Sequence, residues 1–284
     1  MSRLPVCCLA LALVVWSASP APAEKPAASW PFYAMDTAKG SPDLLKELGY
    51  AGESGTLSGN ARTVANQVAE LDKRGLKLYA VYVGGNLTKE GLTFDPALPD
   101  LLRELKGRGT VIWLHLNSKD FKKSSPEGDA VAVPALGKLA GEAAAAGLPV
   151  AVYPHLGDWT EKVQDGLRLA RQVDRPNYGV CFNLCHCLAV GDEDRVTALV
   201  KEAGPYLKMV TLNGADAGGK GWGQLIQPVG KGTYDLKPLL RALREAGYTG
   251  PIGFQAYGIQ GDRRELLTAT KKGWKEITRA LAGK

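Results

Sequence analysis

The chain has 284 residues and only three histidines, His115, His155 and His186. Imidazole is the side chain best placed to move protons near neutral pH. Each histidine follows a short apolar run at the point where polar residues begin. Thr110–Leu116 ends at His115 and Asn117. Pro149–Tyr153 ends in Pro154-His155, with Asp158 and Trp159 just beyond. Tyr178–Phe182 ends in Asn183 and then Cys185-His186. Other runs end in the same manner: Tyr50–Glu53 at Glu53, Leu76–Val83 in Tyr82, Gly84, Gly85 and Asn86, Leu207–Leu212 in Asn213-Gly214-Ala215-Asp216, and Pro251–Gln255 in Gln255 and Tyr257. A carboxylate such as Glu53 among imidazoles suits acid–base work. Asn183, Asn213 and Gln255 can each donate and accept hydrogen bonds, which suits sugar hydroxyls, and Asp216 can accept them. Tyr153, Trp159, Trp222 and Tyr257 offer faces on which a sugar ring could stack.

These runs need a scaffold that brings their ends together. Together with Trp30–Met35 they make eight candidate strands. Helical patterns lie between them, at Pro42–Leu48, Ala61–Arg74, Pro96–Lys106, Val133–Ala146, Glu161–Val173, Asp194–Ala203, Leu236–Ala246 and Arg263–Leu281. Gly49, Gly75, Gly147 and Gly247 each follow a helical run, where a left-handed residue ends a helix. Ser41-Pro42 reads as a helix start, with Ser as the cap and Pro in the first turn. The strands are nearly continuous apolar runs, as in a parallel sheet buried on both faces. Eight alternating units predict an α/β fold, a single (β/α)8 TIM barrel, with its chemistry at the C-terminal ends of the strands. A doubly wound open sheet is the alternative, but there is no G-x-G-x-x-G or Walker motif. Lys119–Val131 is the longest loop and reads as a lid over the active face or as a surface loop.

Composition is that of a globular protein, 45% hydrophobic and 23% charged. The net charge of +6 comes from interspersed residues, without a basic arm that would predict a nucleic-acid partner. Arg3, the apolar run Pro5–Trp16 and the small residues Ala21-Pro22-Ala23 lay out a secretory signal peptide over residues 1–23. The apolar run is short for a membrane span. The expectation is an exported protein, periplasmic or extracellular, without a stable membrane anchor after processing, and with the barrel over residues 24–284. Cys181, Cys185 and Cys187 lie within seven residues and are odd in number, so they read as buried free thiols rather than a disulfide framework. A Cys/His metal site around His186 is the alternative, although its spacing matches no common zinc pattern.

Several segments carry a resemblance. They are Leu45-Lys46-Glu47-Leu48-Gly49-Tyr50-Ala51-Gly52-Glu53, Val150-Ala151-Val152-Tyr153-Pro154-His155 and Gly179-Val180-Cys181-Phe182-Asn183-Leu184-Cys185-His186. To these add Pro228-Val229-Gly230-Lys231-Gly232-Thr233-Tyr234-Asp235 and Glu245-Ala246-Gly247-Tyr248-Thr249-Gly250-Pro251-Ile252-Gly253-Phe254-Gln255. From about Phe32 to Leu281 the chain resembles the xylose isomerase-like TIM barrels, the superfamily of sugar phosphate isomerases and epimerases. The resemblance implies a divalent metal held by strand-end Glu, Asp, His and Glu. His186 and Glu53 match family positions. Tyr153, Asn183 and Gln255 stand where carboxylates are expected, and Asn213 falls near the expected His. Hard divalent cations want anionic oxygens, so no metal cofactor is expected. The alternative is zinc or manganese on His155, His186, Asp216 and Glu53.

The resemblance and the residues together predict an exported sugar isomerase or epimerase working by proton transfer on a sugar or keto-sugar. Glu53 or His155 would take a proton beside a carbonyl, and His186 or His115 would return it. The amides would hold hydroxyls, and a tyrosine would donate to the developing enolate oxygen. Two alternatives are a non-catalytic carbohydrate-binding barrel and a lyase or hydratase acting on an oxidised saccharide. A repair nuclease on the same barrel would need more His, Asp and Glu ligands than this chain places at its strand ends.

Overall fold

Runs such as Val111-Ile112-Trp113-Leu114 and Val150-Ala151-Val152 are apolar at every position, and every one of these residues is buried. Both faces must therefore be covered, which in a parallel sheet means side chains inside and helices outside. The computed structural model describes residues 30–282. The expected leader, with Cys7 and Cys8, lies outside the described residues.

The strands are β1 (Phe32–Ala34), β2 (Gly52–Thr56), β3 (Lys77–Leu87), β4 (Leu92–Phe94), β5 (Val111–Ser118), β6 (Val150–Val152), β7 (Tyr178–Asn183), β8 (Leu207–Leu212) and β9 (Ile252–Phe254). The helices are α1 (Pro42–Glu47), α2 (Ala61–Asp72), α3 (Leu98–Glu104), α4 (Asp129–Ala145), α5 (Val163–Val173), α6 (Leu184–Ala189), α7 (Val196–Ala203), α8 (Trp222–Leu225), α9 (Lys237–Glu245) and α10 (Arg263–Ala282). Eight strands are parallel and close on themselves through β1–β9, β1–β2 and β2–β3 pairings. This is the expected TIM barrel, with each of the eight expected strands in place.

The barrel interior follows a period of two. Tyr33 and Met35, Val111 and Trp113, Ala151 and Tyr153, with Ala80, Cys181 and Met209, form a cluster of their own inside the barrel. The other buried apolar residues pack outside it against the helices. Gly253 makes room for this filling, because a Cβ there would lie 2.4 Å from the Tyr33 ring. Two residues beyond Trp113, Tyr153, Cys181 and Gly253 stand His115, His155, Asn183 and Gln255. The polar strand ends are thus the last tier of inward positions.

Helix punctuation agrees with the sequence. Gly49, Gly75, Gly147 and Gly247 all have positive φ, between 65° and 73°. Ser41 Oγ accepts from Leu44 N at the start of α1. Three details differ. β3 runs past Val83 through Gly84-Gly85, because it pairs with the short antiparallel β4 (Gly85 opposite Phe94); two glycines read as a turn. α4 begins at Asp129, one turn before the expected Val133, with Pro134 inside it. The segment before it is tied down: Ser124 N donates to Trp159 O, and Trp159 Nε1 donates to Ser125 O. Finally, α6 and α8 are short helices in the loops after β7 and β8, and both carry residues of the mouth. No helix among the described residues is long and apolar enough to cross a membrane.

Candidate active site at the barrel mouth

A cavity of about 580 Å³ opens at the C-terminal ends of the strands. Trp113, Tyr153 and Cys185 are its fully buried lining. His155, His186 and Gln255 line it, as do Asp36 and Thr37 after β1 and Thr56 at the end of β2. Leu156, Trp222 and Tyr257 also contribute.

Two histidines meet in this cavity, with ring centroids 4.2 Å apart. The backbone of Leu156 lies between them chemically. His155 Nδ1 is 3.0 Å from Leu156 O. A carbonyl oxygen only accepts, so Nδ1 carries a proton, and in the neutral ring Nε2 keeps the lone pair. Leu156 N donates to His186 Nδ1 at 3.2 Å. That nitrogen is then the acceptor, and the proton of the neutral ring sits on Nε2. Burial, with His155 nearby, pushes the His186 pKa down from 6.5 to about 3. His186 is therefore a neutral hydrogen-bond donor at ordinary pH.

Asp158 is buried between His115 and His155. Its Oδ2 is 3.3 Å from His115 Nδ1, and its Oδ1 is 3.6 Å from His155 Nδ1. Burial would raise its pKa, but His115 and His155 beside it outweigh burial and hold it below the usual carboxylate range. His115 is outside the cavity lining. It stacks on Tyr82 at 4.3 Å and 6°, and its Nε2 packs against Gly84, where a Cβ would sit 3.1 Å away. Its place is behind Asp158 rather than against a ligand.

Several expected site residues serve the scaffold instead. Glu53 is buried, but its Oε2 accepts from Gln67 Nε2 of α2 at 2.9 Å and it does not line the cavity. Ordinary alternation along β2 sends Glu53 and Gly55 toward Gln67 of α2, while Ser54 and Thr56 face Asp36 at the mouth. Asn183 has no free hydrogen-bonding capacity. Its Nδ2 donates to Tyr153 Oη (2.5 Å) and Thr211 Oγ1 (2.6 Å). Its Oδ1 accepts from Cys185 Sγ (3.0 Å) and from His186 N (3.1 Å), capping α6. Asn213 Nδ2 donates to Gly214 O and Leu225 O, which pins α8. Asp216 accepts from Gln227 Nε2 and Thr233 N and holds the loop after β8. Trp159 is buried against Ser125 O and the Arg168 guanidinium. None of Asn183, Asn213, Asp216 and Trp159 lines the cavity. Tyr153, Gln255 and Tyr257 do.

Asp36 and Asp158 were not among the expected site residues. Asp36 follows β1 directly, so the strand-end rule reaches it, and it is the one carboxylate in the lining. Its oxygens accept from Thr56 Oγ1 (2.6 Å), Thr37 N (3.0 Å) and Ser54 Oγ (3.3 Å). Nothing in the spacing of Asp158 reveals that it would reach two histidines.

Glu53 makes a prediction about stability. Burial, and more weakly the charge of Asp36, raise its pKa from 4.5 to about 7 against the opposing Gln67 hydrogen bond. The unfolded chain releases this proton near pH 4.5, whereas the folded chain holds it to about 7. Folding is therefore penalised progressively across that window and fully above it. Glu53→Gln is expected to raise stability at pH 8 by about 1–3 kcal/mol, with the gain disappearing below pH 4.5. Thermal melts of both proteins at pH 4, 6 and 8 check this, and a pH-independent difference would contradict it.

The residues at the expected metal positions do not fit a divalent cation. Tyr153 and Asn183 are bonded to each other, and Gln255 faces the Tyr153 hydroxyl while its Oε1 accepts from Thr37 Oγ1 and Tyr257 N. The set is neutral and its acceptors are already in use, where Mg²⁺ or Mn²⁺ needs anionic oxygens. The alternative set of His155, His186, Asp216 and Glu53 does not converge, since Glu53 and Asp216 bond elsewhere. Among the described residues no three His, Cys, Asp or Glu side chains are placed to hold a metal ion. The same holds for the cysteines around His186. Cys181, Cys185 and Cys187 are free and buried, and burial raises the pKa of each thiol.

No curated protein sequence matches the chain significantly. Solved structures do. The IOLI protein with a bound zinc atom superposes with a TM-score of 0.70 at 16% identity, covering 88% of this chain and 98% of its own. D-allulose 3-epimerase from Methylomonas sp. in complex with D-allulose gives 0.67 at 18%, covering 87% and 97%. The 3-keto-D-glucoside 4-epimerase from E. coli gives 0.66 at 16%, covering 88% and 100%. At such identities these likenesses establish the fold. The family model described as xylose isomerase-like TIM barrel matches residues 44–281, and the chain, a TIM barrel with sugar epimerases among its structural neighbours, belongs to that family.

Proposed function

We propose that this chain is an exported sugar isomerase or epimerase that moves a proton beside a sugar carbonyl with His155 and His186, without a divalent metal. The observation that carries this reading is the backbone of Leu156, which sets opposite tautomers in two adjacent rings. One imidazole offers a lone pair and its neighbour offers an N–H. In the proposed step His155 Nε2 takes the proton from the carbon next to the carbonyl. The electrons move onto the carbonyl oxygen, which receives a hydrogen bond from His186 Nε2–H. A neutral imidazole is the right donor for an enolate-like oxygen, because its proton is not lost to solvent at working pH. Asp158 steadies the imidazolium that forms on His155 and keeps its ring oriented, as a buried carboxylate does for a catalytic histidine. Delivery of a proton to the opposite face of the same carbon gives epimerisation; delivery to the former carbonyl carbon, with the neighbouring hydroxyl proton passing to the former carbonyl oxygen, gives isomerisation. With a leaving group on the next carbon, the same enolate would eliminate it, giving a lyase. Export is read from the apolar leader at residues 1–23.

Incubation with a panel of ketoses, aldoses and keto-glycosides in D₂O tests this. Deuterium should appear at the carbon beside the carbonyl in at least one sugar, at a rate that EDTA does not change. Exchange in none of them would refute the acid–base reading, and exchange abolished by EDTA would refute its metal independence. A second reading, a carbohydrate-binding barrel without turnover, is favoured by the neutral Tyr153–Asn183–Gln255 network. Saturable sugar binding without exchange would establish it.

A further inference from the structure

The chemistry of the cavity wall also limits what the cavity can hold. The chain carries 35 Lys and Arg against 29 Asp and Glu, yet no Lys or Arg is among the residues lining the mouth. The one carboxylate there, Asp36, is held by two hydroxyls and a backbone N–H and has no cationic partner among its contacts. A phosphate or carboxylate brought into this cavity would lose its hydration and meet a like charge with no guanidinium or ammonium to pair with it. Sugar hydroxyls face no such cost, since Asp36 and Thr56 can accept and donate to them.

The lip of the cavity gives the second constraint. Among the described residues two large hydrophobic side chains are exposed, Leu156 at 37% and Tyr257 at 59%. Both line this one mouth, with the half-buried Trp222 as a third apolar wall. Scattered exposed apolar residues are normal, but their confinement to one opening marks a contact surface. A cavity of about 580 Å³ also falls in the size class that holds drug-sized ligands, about 300–1,000 Å³, beyond what one hexose ring fills.

We infer that the substrate is an uncharged keto-glycoside or keto-oligosaccharide, with its carbonyl-bearing ring beside Asp36, His155 and His186 and an aglycone or second ring against Leu156, Trp222 and Tyr257. This inference rests on the proposed reading of the mouth as a saccharide site, and it names the class of saccharide.

Calorimetric titration tests it with defined probes: phenyl β-glycosides of glucose, galactose and mannose, the three free hexoses, their 6-phosphates, and phenyl β-D-glucuronide. At least one phenyl glycoside is expected to bind tenfold or more tightly than its free hexose. The 6-phosphates and the glucuronide are expected to bind at least tenfold more weakly than the matching uncharged compound. Tyr257→Ala should shrink the ratio between phenyl glycoside and hexose affinities at least threefold, and this exposed side chain can be removed without opening the core. Asp36→Asn should narrow the discrimination against the glucuronide. The inference is overturned if a free hexose binds as well as its phenyl glycoside, if the charged sugars bind as well as the uncharged ones, or if no compound binds. The outcome is separable from that of the exchange experiment. The expected preferences without deuterium exchange would remove the acid–base reading and leave this one. Deuterium exchange together with binding of the charged sugars as tight as that of the uncharged ones would do the reverse.

Discussion

His155→Ala is expected to lower turnover by about 10²- to 10⁴-fold, the usual contribution of a positioned proton carrier, while the protein still folds. The His155 side chain is 36% exposed at the rim, so its removal opens no sealed cavity and should change the melting temperature little. His186→Ala is expected to lose turnover by a similar factor and also to lower stability. Its ring is buried, and its loss strands the N–H of Leu156. The two variants also differ in their pH dependence. His186 is neutral in the folded chain down to about pH 3, whereas unfolding would let it take a proton below about 6.5. The unfolded state therefore binds the extra proton between these values, and stability falls as the pH drops through that window. His186→Ala should flatten that part of the stability profile, and His155→Ala should leave this contribution in place. On turnover, kcat should fall far more than KM rises in both, because the groups act on the proton in transit. Wild-type kcat in either variant would end the proposed mechanism. So would a loss confined to KM, which would make the pair a binding contact.

The frame of this site was legible because parallel strands buried on both faces leave continuous apolar runs, and Thr110–Leu116 or Tyr178–Phe182 cannot be mistaken for amphipathic helices of ordinary length. The strand-end rule then put His115, His155, His186, Gln255 and Tyr257 around one mouth. The rule says which end a residue occupies, but not which face it turns to or what it already bonds. Glu53 shows the first limit: alternation along β2 gives the mouth to Ser54 and Thr56 and turns Glu53 to Gln67 of α2. Asn213 and Asp216 show the second. Both stand after β8 as a ligand contact would, but the amide N–H groups of Asn213 and both oxygens of Asp216 are taken by the loop that carries α8. Trp159 looked like a stacking platform and is part of the barrel wall, because the segment before α4 folds over it. Tautomers were the least legible feature. They depend on the backbone of one leucine, and nothing in its identity announces that role.

Asn183→Ala is expected to destabilise the chain by about 3–5 kcal/mol, as the truncation of a buried hydrogen-bonding hub should. For a domain of this size each kcal/mol corresponds to about 2–4 °C, so melting should fall by roughly ten degrees. Four groups lose a partner: the Tyr153 hydroxyl, the Thr211 hydroxyl, the Cys185 thiol and the His186 N–H. The last of these is the cap of α6, which carries His186 itself, so the loss reaches the proton-transfer pair through its backbone. A substrate-binding Asn would behave otherwise, weakening affinity and leaving the melt in place; an unchanged melt with weaker sugar binding would restore that role. Asn183→Asp separates the hydrogen-bonding role from the electrostatic one. A carboxylate can still accept from His186 N and Cys185, and the two hydroxyls can turn to donate to its second oxygen. It also carries a charge into a buried network that is neutral in the native chain. This variant should therefore be less damaging than Ala at low pH, where the carboxyl is protonated, and lose that advantage as the pH rises. Mg²⁺ or Mn²⁺ should not rescue it, because Tyr153 and Gln255 supply no further anionic oxygen. A cation-dependent rise in its melting temperature would mean that one carboxylate is enough to recreate a metal site, and the neutral network would then be a small step from the metal-binding arrangement rather than a replacement for it.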